Sequence, residues 1–180
     1  MSFKQIAQRI RVATGFVLAP LLLITAKPTP TTLLIGAICA IAGLSIRAWA
    51  SGYLKKNREL TTYGPYAHTR NPLYLGTFIL GTGVAICSGS LWFIALFMAL
   101  YILIYIPVMS AEAETLSKLF PFEYEQYSRN VPLFLPRLTP YRPSGERRFE
   151  TAQYLKHREY RAAFGFAIVF ALLAAKLLIG

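Results

Sequence analysis

The stretch that decides the fold is "PLYLGTFILGTGVAICSGSLWFIALFMALYILIYIPVMSA", residues 72–111, which carries no charged side chain. The hydrocarbon core of a bilayer is about 30 Å thick and takes roughly 20 apolar residues per helix. This run is too long for one span, and it divides at "CSGS", 87–90, a turn-like cluster. Read outward from it, the 180-residue chain is 55% hydrophobic, above the range of ordinary soluble domains. The pattern predicts an all-α, polytopic membrane helix bundle in a single domain, 1–180. About five spans are expected, near 12–26, 31–49, 73–88, 91–109 and 162–179. The polar segment 110–161 is expected to fold back over the helix ends, being too poor in apolar periodicity to form a core of its own.

A net charge of +11 would suggest nucleic acid in a soluble protein. In this topology all of the nineteen Lys and Arg except Lys27 and Lys176 fall on one side, as the positive-inside rule requires. The expected orientation puts the N-terminus and the polar segment in the cytoplasm, in a multi-pass protein of a bacterial or archaeal inner membrane. Nucleic-acid binding is not expected, because no stretch alternates basic and stacking aromatic residues on a soluble face. Membrane lipids are the expected surroundings. The N-terminal segment, with Lys4, Arg9 and Arg11 before an apolar stretch, resembles a signal peptide but lacks a small-x-small cleavage site, and it is read as a retained first helix. Cys39 and Cys87 read as small hydrophobes. With two histidines, His68 and His157, and no cysteine pair at ligand spacing, no metal site is expected.

"KPTPTT", 27–32, marks a turn between the first two spans. Gly36, Ala40 and Gly43 fall near one face of the second, as tight packing between membrane helices favours. Arg47 lies deep enough in that span that it must either snorkel or face a polar cavity. "SAEAETLSKLF", from 110, has helical spacing, whereas "PFEYEQYSRNVPLFLPRLTPYRP" shows little. "RRFETAQYLKHREYRA", 147–162, reads as a basic amphipathic helix on the membrane surface.

Most of the chemistry gathers in "YGPYAHTRNPLYLG", 63–76, at the border between a charged segment and an apolar span. Asn is a preferred N-cap and Pro is favoured at the first helical position, so a helix should start at Pro72 with its positive dipole end at the interface. Arg70 beside that end suits a carboxylate or phosphate, or else lipid phosphate and topology alone. Gly64-Pro65 forces a turn, and Gly76 lets another backbone approach. Tyr66 and Tyr74 offer a flat wall and hydroxyls for a planar ring, though each alone would suit an interfacial belt. Glu112 and Glu114 diverge by roughly 200° on one helix, so only one can face a ligand there. An acid and a guanidinium at one helix mouth suit an amino-acid zwitterion.

"GPYAHTRNPLYLG" followed by "AEAETLSKLFPFEYEQYSRNVPLFLP" resembles the isoprenylcysteine carboxyl methyltransferase family and its phospholipid N-methyltransferase relatives, over about residues 50–140. The resemblance implies S-adenosylmethionine as cofactor and a lipophilic or lipid acceptor admitted from the bilayer, with 110–161 as a cytoplasmic cofactor-binding lid. By position it implies a cofactor pocket of Arg58, Glu59, Leu60, Thr61, Tyr66, Arg70, Asn71, Pro72, Tyr74 and Glu112. Arg70 and Glu112 are the expected anchors, and no residue is assigned as a base. Asn71 stands where the family has His, Pro121 where it has Gly, and Val108 at the apparent place of a substrate-contacting Arg. A membrane reductase using NADPH and a non-enzymatic basic adaptor are the rival readings. The first wants a dinucleotide fingerprint that is missing, and the second leaves the motif cluster unexplained.

Overall fold

A computed structural model describes residues 15, 17–55, 59–141 and 148–179. These residues are helical or irregular, with no strand among them. Helix α1 covers 17–25; α2 is Pro30–Tyr53, α3 Pro72–Cys87, α4 Leu91–Leu119, α5 Pro121–Asn130, α6 Thr151–His157 and α7 Tyr160–Ile179. One 3-10 turn, Gly64–Ala67, precedes α3. By length and apolarity α2, α4 and α7 are long enough to cross a membrane, while α3, at 16 residues, is shorter.

Local chemistry sets the helix starts. Pro30 follows a reciprocal cap in which the Thr29 hydroxyl accepts from the Thr32 amide at 3.1 Å and the Thr29 amide donates to the Thr32 hydroxyl at 2.9 Å. The turn expected over 27–32 therefore gives way to helix at Pro30. Against α2 lies α3 at near-backbone contact. A Cβ on Gly36 would meet the Gly83 carbonyl oxygen at 2.5 Å, and one on Gly76 would meet the Gly43 carbonyl oxygen at 2.8 Å. Without side chains in the way the two helices come together by dispersion, as membrane helices do.

Three findings add to or correct the sequence reading. First, the helix of the expected span 91–109 continues unbroken, with α4 running through Pro107 to Leu119. A proline costs one intrahelical bond, which a membrane helix tolerates, and the Ala- and Glu-rich sequence beyond it propagates helix well. Glu112 thus projects from the same rod as the apolar residues. Secondly, the aromatic and proline-rich stretch holds a real helix, α5. Pro121 occupies its first turn, and Tyr124 and Tyr127, three apart, bury one face with Val131.

Thirdly, 147–162 is not one surface helix. Within its described part, α6 ends at Arg158, which adopts a left-handed conformation at φ 54°, and α7 starts at Tyr160. This segment is bound to the end of α2. The Glu150 amide donates to the Gly52 carbonyl at 3.0 Å, and His157 Nε2 donates to the Leu54 carbonyl at 3.1 Å. Farther along α7, Lys176 Nζ donates to the carbonyls of Leu23 and Ile24 at 2.7 and 3.1 Å. That ammonium caps the end of α1, as basic groups near helix C-termini do.

Segment 131–141 is laid along the turn before α3. The amides of Arg70, Arg137 and Tyr141 donate to the carbonyls of Pro132, His68 and Ala67, each at 2.9 Å. The buried Thr69 hydroxyl donates to the Phe134 carbonyl at 2.8 Å. Backbone groups that neither helix nor sheet would satisfy are paired here between two loops.

Candidate active site

A cavity of about 460 Å³ opens where α2, α3 and α4 meet the turn before α3, within the size range of small-molecule sites. Glu59, Leu60, Thr61, Tyr66, Arg70, Asn71, Pro72, Tyr74 and Glu112 all line it. Arg58 lies outside the described residues. Residues far apart in sequence therefore share one wall.

Arg70 is held from both ends. Its amide is tied to Pro132, its Nη1 donates to the Tyr124 hydroxyl at 2.9 Å, and its guanidinium carbon lies 5.8 Å from the Tyr124 ring centre. Its buried Nε has no hydrogen-bond partner in the protein. A charge fixed in place with a spare donor is suited to an anionic ligand.

Asn71 takes the N-cap position of α3, yet its side chain makes no cap hydrogen bond. The amide nitrogen donates instead to the Leu133 carbonyl at 2.9 Å. The expected local cap lost to a carbonyl brought in from a remote loop. The first turn of α3 therefore meets the cavity without that cap, its dipole end adding positive potential there.

Tyr66 is buried, and its main-chain carbonyl accepts from the Tyr127 hydroxyl at 2.7 Å. Burial is the largest cause pushing the Tyr66 phenol above its ordinary range, followed by Tyr127, Glu112, Glu159 and Tyr74. A phenol so placed stays neutral and serves as a hydrogen-bonding group. Tyr74 is braced from the other side. Its ring meets Tyr105 edge-on at 5.5 Å between centres, and its carbonyl accepts from the Tyr101 hydroxyl at 2.7 Å.

The two glutamates of α4 diverge as their spacing predicts. Glu112 faces the cavity. Glu114 is exposed and pairs with Lys118 at 2.5 Å.

Five further polar residues line the wall that sequence reasoning did not assign to it: Thr77, Thr115, Tyr127, His157 and Glu159. Arg47 takes the second of its two options and faces the cavity. Its Nη2 lies 2.7 Å from Glu159 Oε2, and its Nη1 bonds Thr77 Oγ1 and, at 3.4 Å, the Leu73 carbonyl. An acid in a basic stretch and a lone base in an apolar span were the available signal, since an ionisable group in a membrane helix needs a partner. Among the described residues no group of three or more His, Cys, Asp or Glu is placed to hold a metal ion.

Residues 29–123 match the family described as phospholipid methyltransferase. The chain is 34% identical over 111 residues to the nickel-cobalt-cadmium resistance protein NccN of Alcaligenes xylosoxydans xylosoxydans, covering 61% of this chain and 50% of that protein. It is 33% identical over 139 residues to the cobalt-zinc-cadmium resistance protein CzcN of Cupriavidus metallidurans, covering 73% and 64%. The matches thus span between half and just under two thirds of these relatives' length. No solved structure matches the chain.

Proposed function

This chain belongs to the phospholipid methyltransferase family, and from that premise we propose that it is a membrane enzyme transferring a methyl group from S-adenosylmethionine to a lipophilic acceptor drawn from the bilayer. The observation that carries the reading is the convergence of Arg70, Glu112, Tyr66 and Tyr74 on one cavity. Those residue types fit the cofactor. Arg70, with its unpartnered buried Nε, would hold the carboxylate, Glu112 the ammonium, and the two tyrosines a planar ring. When bound, S-adenosylmethionine supplies an electrophilic methyl on a sulfonium whose positive charge is lost during transfer.

The protein's own part is placement and exclusion of water. Holding donor and acceptor in line in a dry pocket supplies much of the rate enhancement. Tyr66, kept neutral by burial, adds a polar but uncharged wall. α5 and segment 131–141 cover the turn that carries Arg70 and shield it from solvent. The acceptor reaches the cavity along the apolar residues of α3 and α4. In our reading the cavity opens to the cytoplasm, following the lopsided Lys and Arg distribution.

The metal-resistance names of the relatives do not redirect this reading, because guanidinium, phenol and separated carboxylates suit an organic zwitterion better than a metal ion. The deciding experiment titrates purified protein in lipid nanodiscs with S-adenosylhomocysteine and, separately, with NADPH. Saturable binding of the first alone is expected. Binding of NADPH alone would replace the methyltransferase with a reductase, and binding of neither would leave the non-enzymatic adaptor.

A further inference from the structure

The cavity has two charged poles. At the outer pole Arg70 stands just before the first turn of α3, and Glu112 lines the same cavity. The inner pole is Arg47, Thr77 and Glu159. Thr77 lies five residues into α3 from Pro72, roughly 7.5 Å along its axis, so this pole reaches farther along α3 than Arg70, with Glu159 entering from the turn before α7.

The inner pole is built, not incidental. Arg47 comes from the last third of α2, where its side chain crosses over Gly76. Glu159 is delivered by the left-handed turn at Arg158 that separates α6 from α7. That backbone conformation is unusual for a residue with a side chain. The Glu159 side chain is 12% exposed and that of Arg47 21%. Glu159 Oε2 is held by the ion pair to Arg47 Nη2 at 2.7 Å, without a well-angled hydrogen bond, whereas the buried Arg47 Nε has no hydrogen-bond partner. A buried donor left unsatisfied is costly, and an ion-paired carboxylate keeps lone pairs free to accept a further hydrogen bond.

We propose that the Arg47–Glu159 pair is the head-group subsite for the acceptor, and that it selects an uncharged head bearing an X–H group, such as a thiol or hydroxyl, over a carboxylate. This rests on the methyl-transfer reading above, which gives the outer pole to the methyl donor. An X–H head both donates and accepts, so it satisfies Arg47 Nε while donating to a lone pair that the Glu159 carboxylate keeps free. A carboxylate offers no donor, and Glu159 has already neutralised the guanidinium it would need. Thr77, by occupying Arg47 Nη1, keeps the guanidinium from turning toward another anion.

The test compares binding of tritiated decanethiol, decanol and decanoate to the protein in nanodiscs, with and without S-adenosylhomocysteine. Wild type is expected to bind the thiol or alcohol at least about tenfold more tightly than decanoate, as one well-matched polar contact allows. Glu159→Gln should reduce that preference to under about threefold while leaving S-adenosylhomocysteine affinity within about twofold. If that variant does not fold, Thr77→Val, which frees Arg47 Nη1, should narrow the preference through the same pole. Equal or tighter binding of decanoate by wild type, or no binding of any probe, overturns the subsite. So does a Glu159→Gln protein that loses S-adenosylhomocysteine along with the head-group preference. Absence of S-adenosylhomocysteine binding in wild type, with the preference intact, would instead sink the donor reading and leave the subsite standing.

Discussion

The Tyr127 hydroxyl donates a 2.7 Å hydrogen bond to the main-chain carbonyl of Tyr66, joining α5 to a turn from which two apolar helices separate it in sequence. This bond fixes a cavity wall from outside the bundle. Tyr127→Phe would leave a buried carbonyl unpaired, which costs about 1–3 kcal/mol. Thermal unfolding in nanodiscs should shift downward accordingly, with weaker S-adenosylhomocysteine binding. An unchanged midpoint would mean that water replaces the phenol at no cost.

Glu112 and Glu114 should behave differently. Glu112→Gln removes a charged hydrogen bond to the expected ammonium, worth about 1.5–3 kcal/mol, and should weaken S-adenosylhomocysteine affinity about ten- to a hundredfold. Glu114→Gln, on the exposed side with Lys118, should leave it unchanged. Isothermal titration of both variants checks the pair, and a larger effect at Glu114 would reverse the assignment.

Glycine substitutions separate packing from propensity. A Cβ on Gly43 would run into the backbone nitrogen of Leu80, where nothing can yield except the helix pair itself. Gly43→Ala should destabilise by about 1–3 kcal/mol. Gly165, with open space around its Cβ position, sits inside α7, so Gly165→Ala should be neutral or stabilising by up to about 1 kcal/mol. Equilibrium unfolding in mixed micelles reads both.

Alkali should destabilise the fold through its buried phenols. For Tyr66 and Tyr127 burial is the leading cause raising the folded-state value, whereas in the unfolded chain each ionises near pH 10. Above that pH the unfolded state binds fewer protons than the folded one, so stability falls as pH rises. Below it the contribution is fully present. Unfolding midpoints should be independent of these groups up to about pH 9 and drop beyond about pH 10. Tyr66→Phe should flatten that limb, and an equally steep limb in the variant would assign the loss to other groups.

The start of α3 was legible in the sequence because it depends on neighbours in the chain. Proline at a first turn and arginine before it need no tertiary knowledge. Helical geometry likewise showed that Glu112 and Glu114 could not both face one ligand, and the resemblance chose Glu112, which lines the cavity. Reading failed where a remote partner decided the outcome. Asn71 was expected to cap its own helix, and the Leu133 carbonyl took its amide instead. Helix α5 was obscured by its proline and by having only two tyrosines, three apart, to mark its buried face. Glu159 was not singled out within the basic stretch 147–162, because only folding brings Arg47 beside it.

The close contact of α2 with α3 has a consequence for biogenesis. These helices are neighbours in the chain, and their small-residue faces can meet as soon as α3 has left the translocon, before α4 is complete. Arg47 would then enter the bilayer with Thr77 Oγ1 and the Leu73 carbonyl already at hand, long before the ribosome reaches Glu159. A charge that would be expensive to bury alone is escorted in by its nearest neighbour. The carboxylate arrives last, so the inner end of the cavity is completed only when the final helix docks.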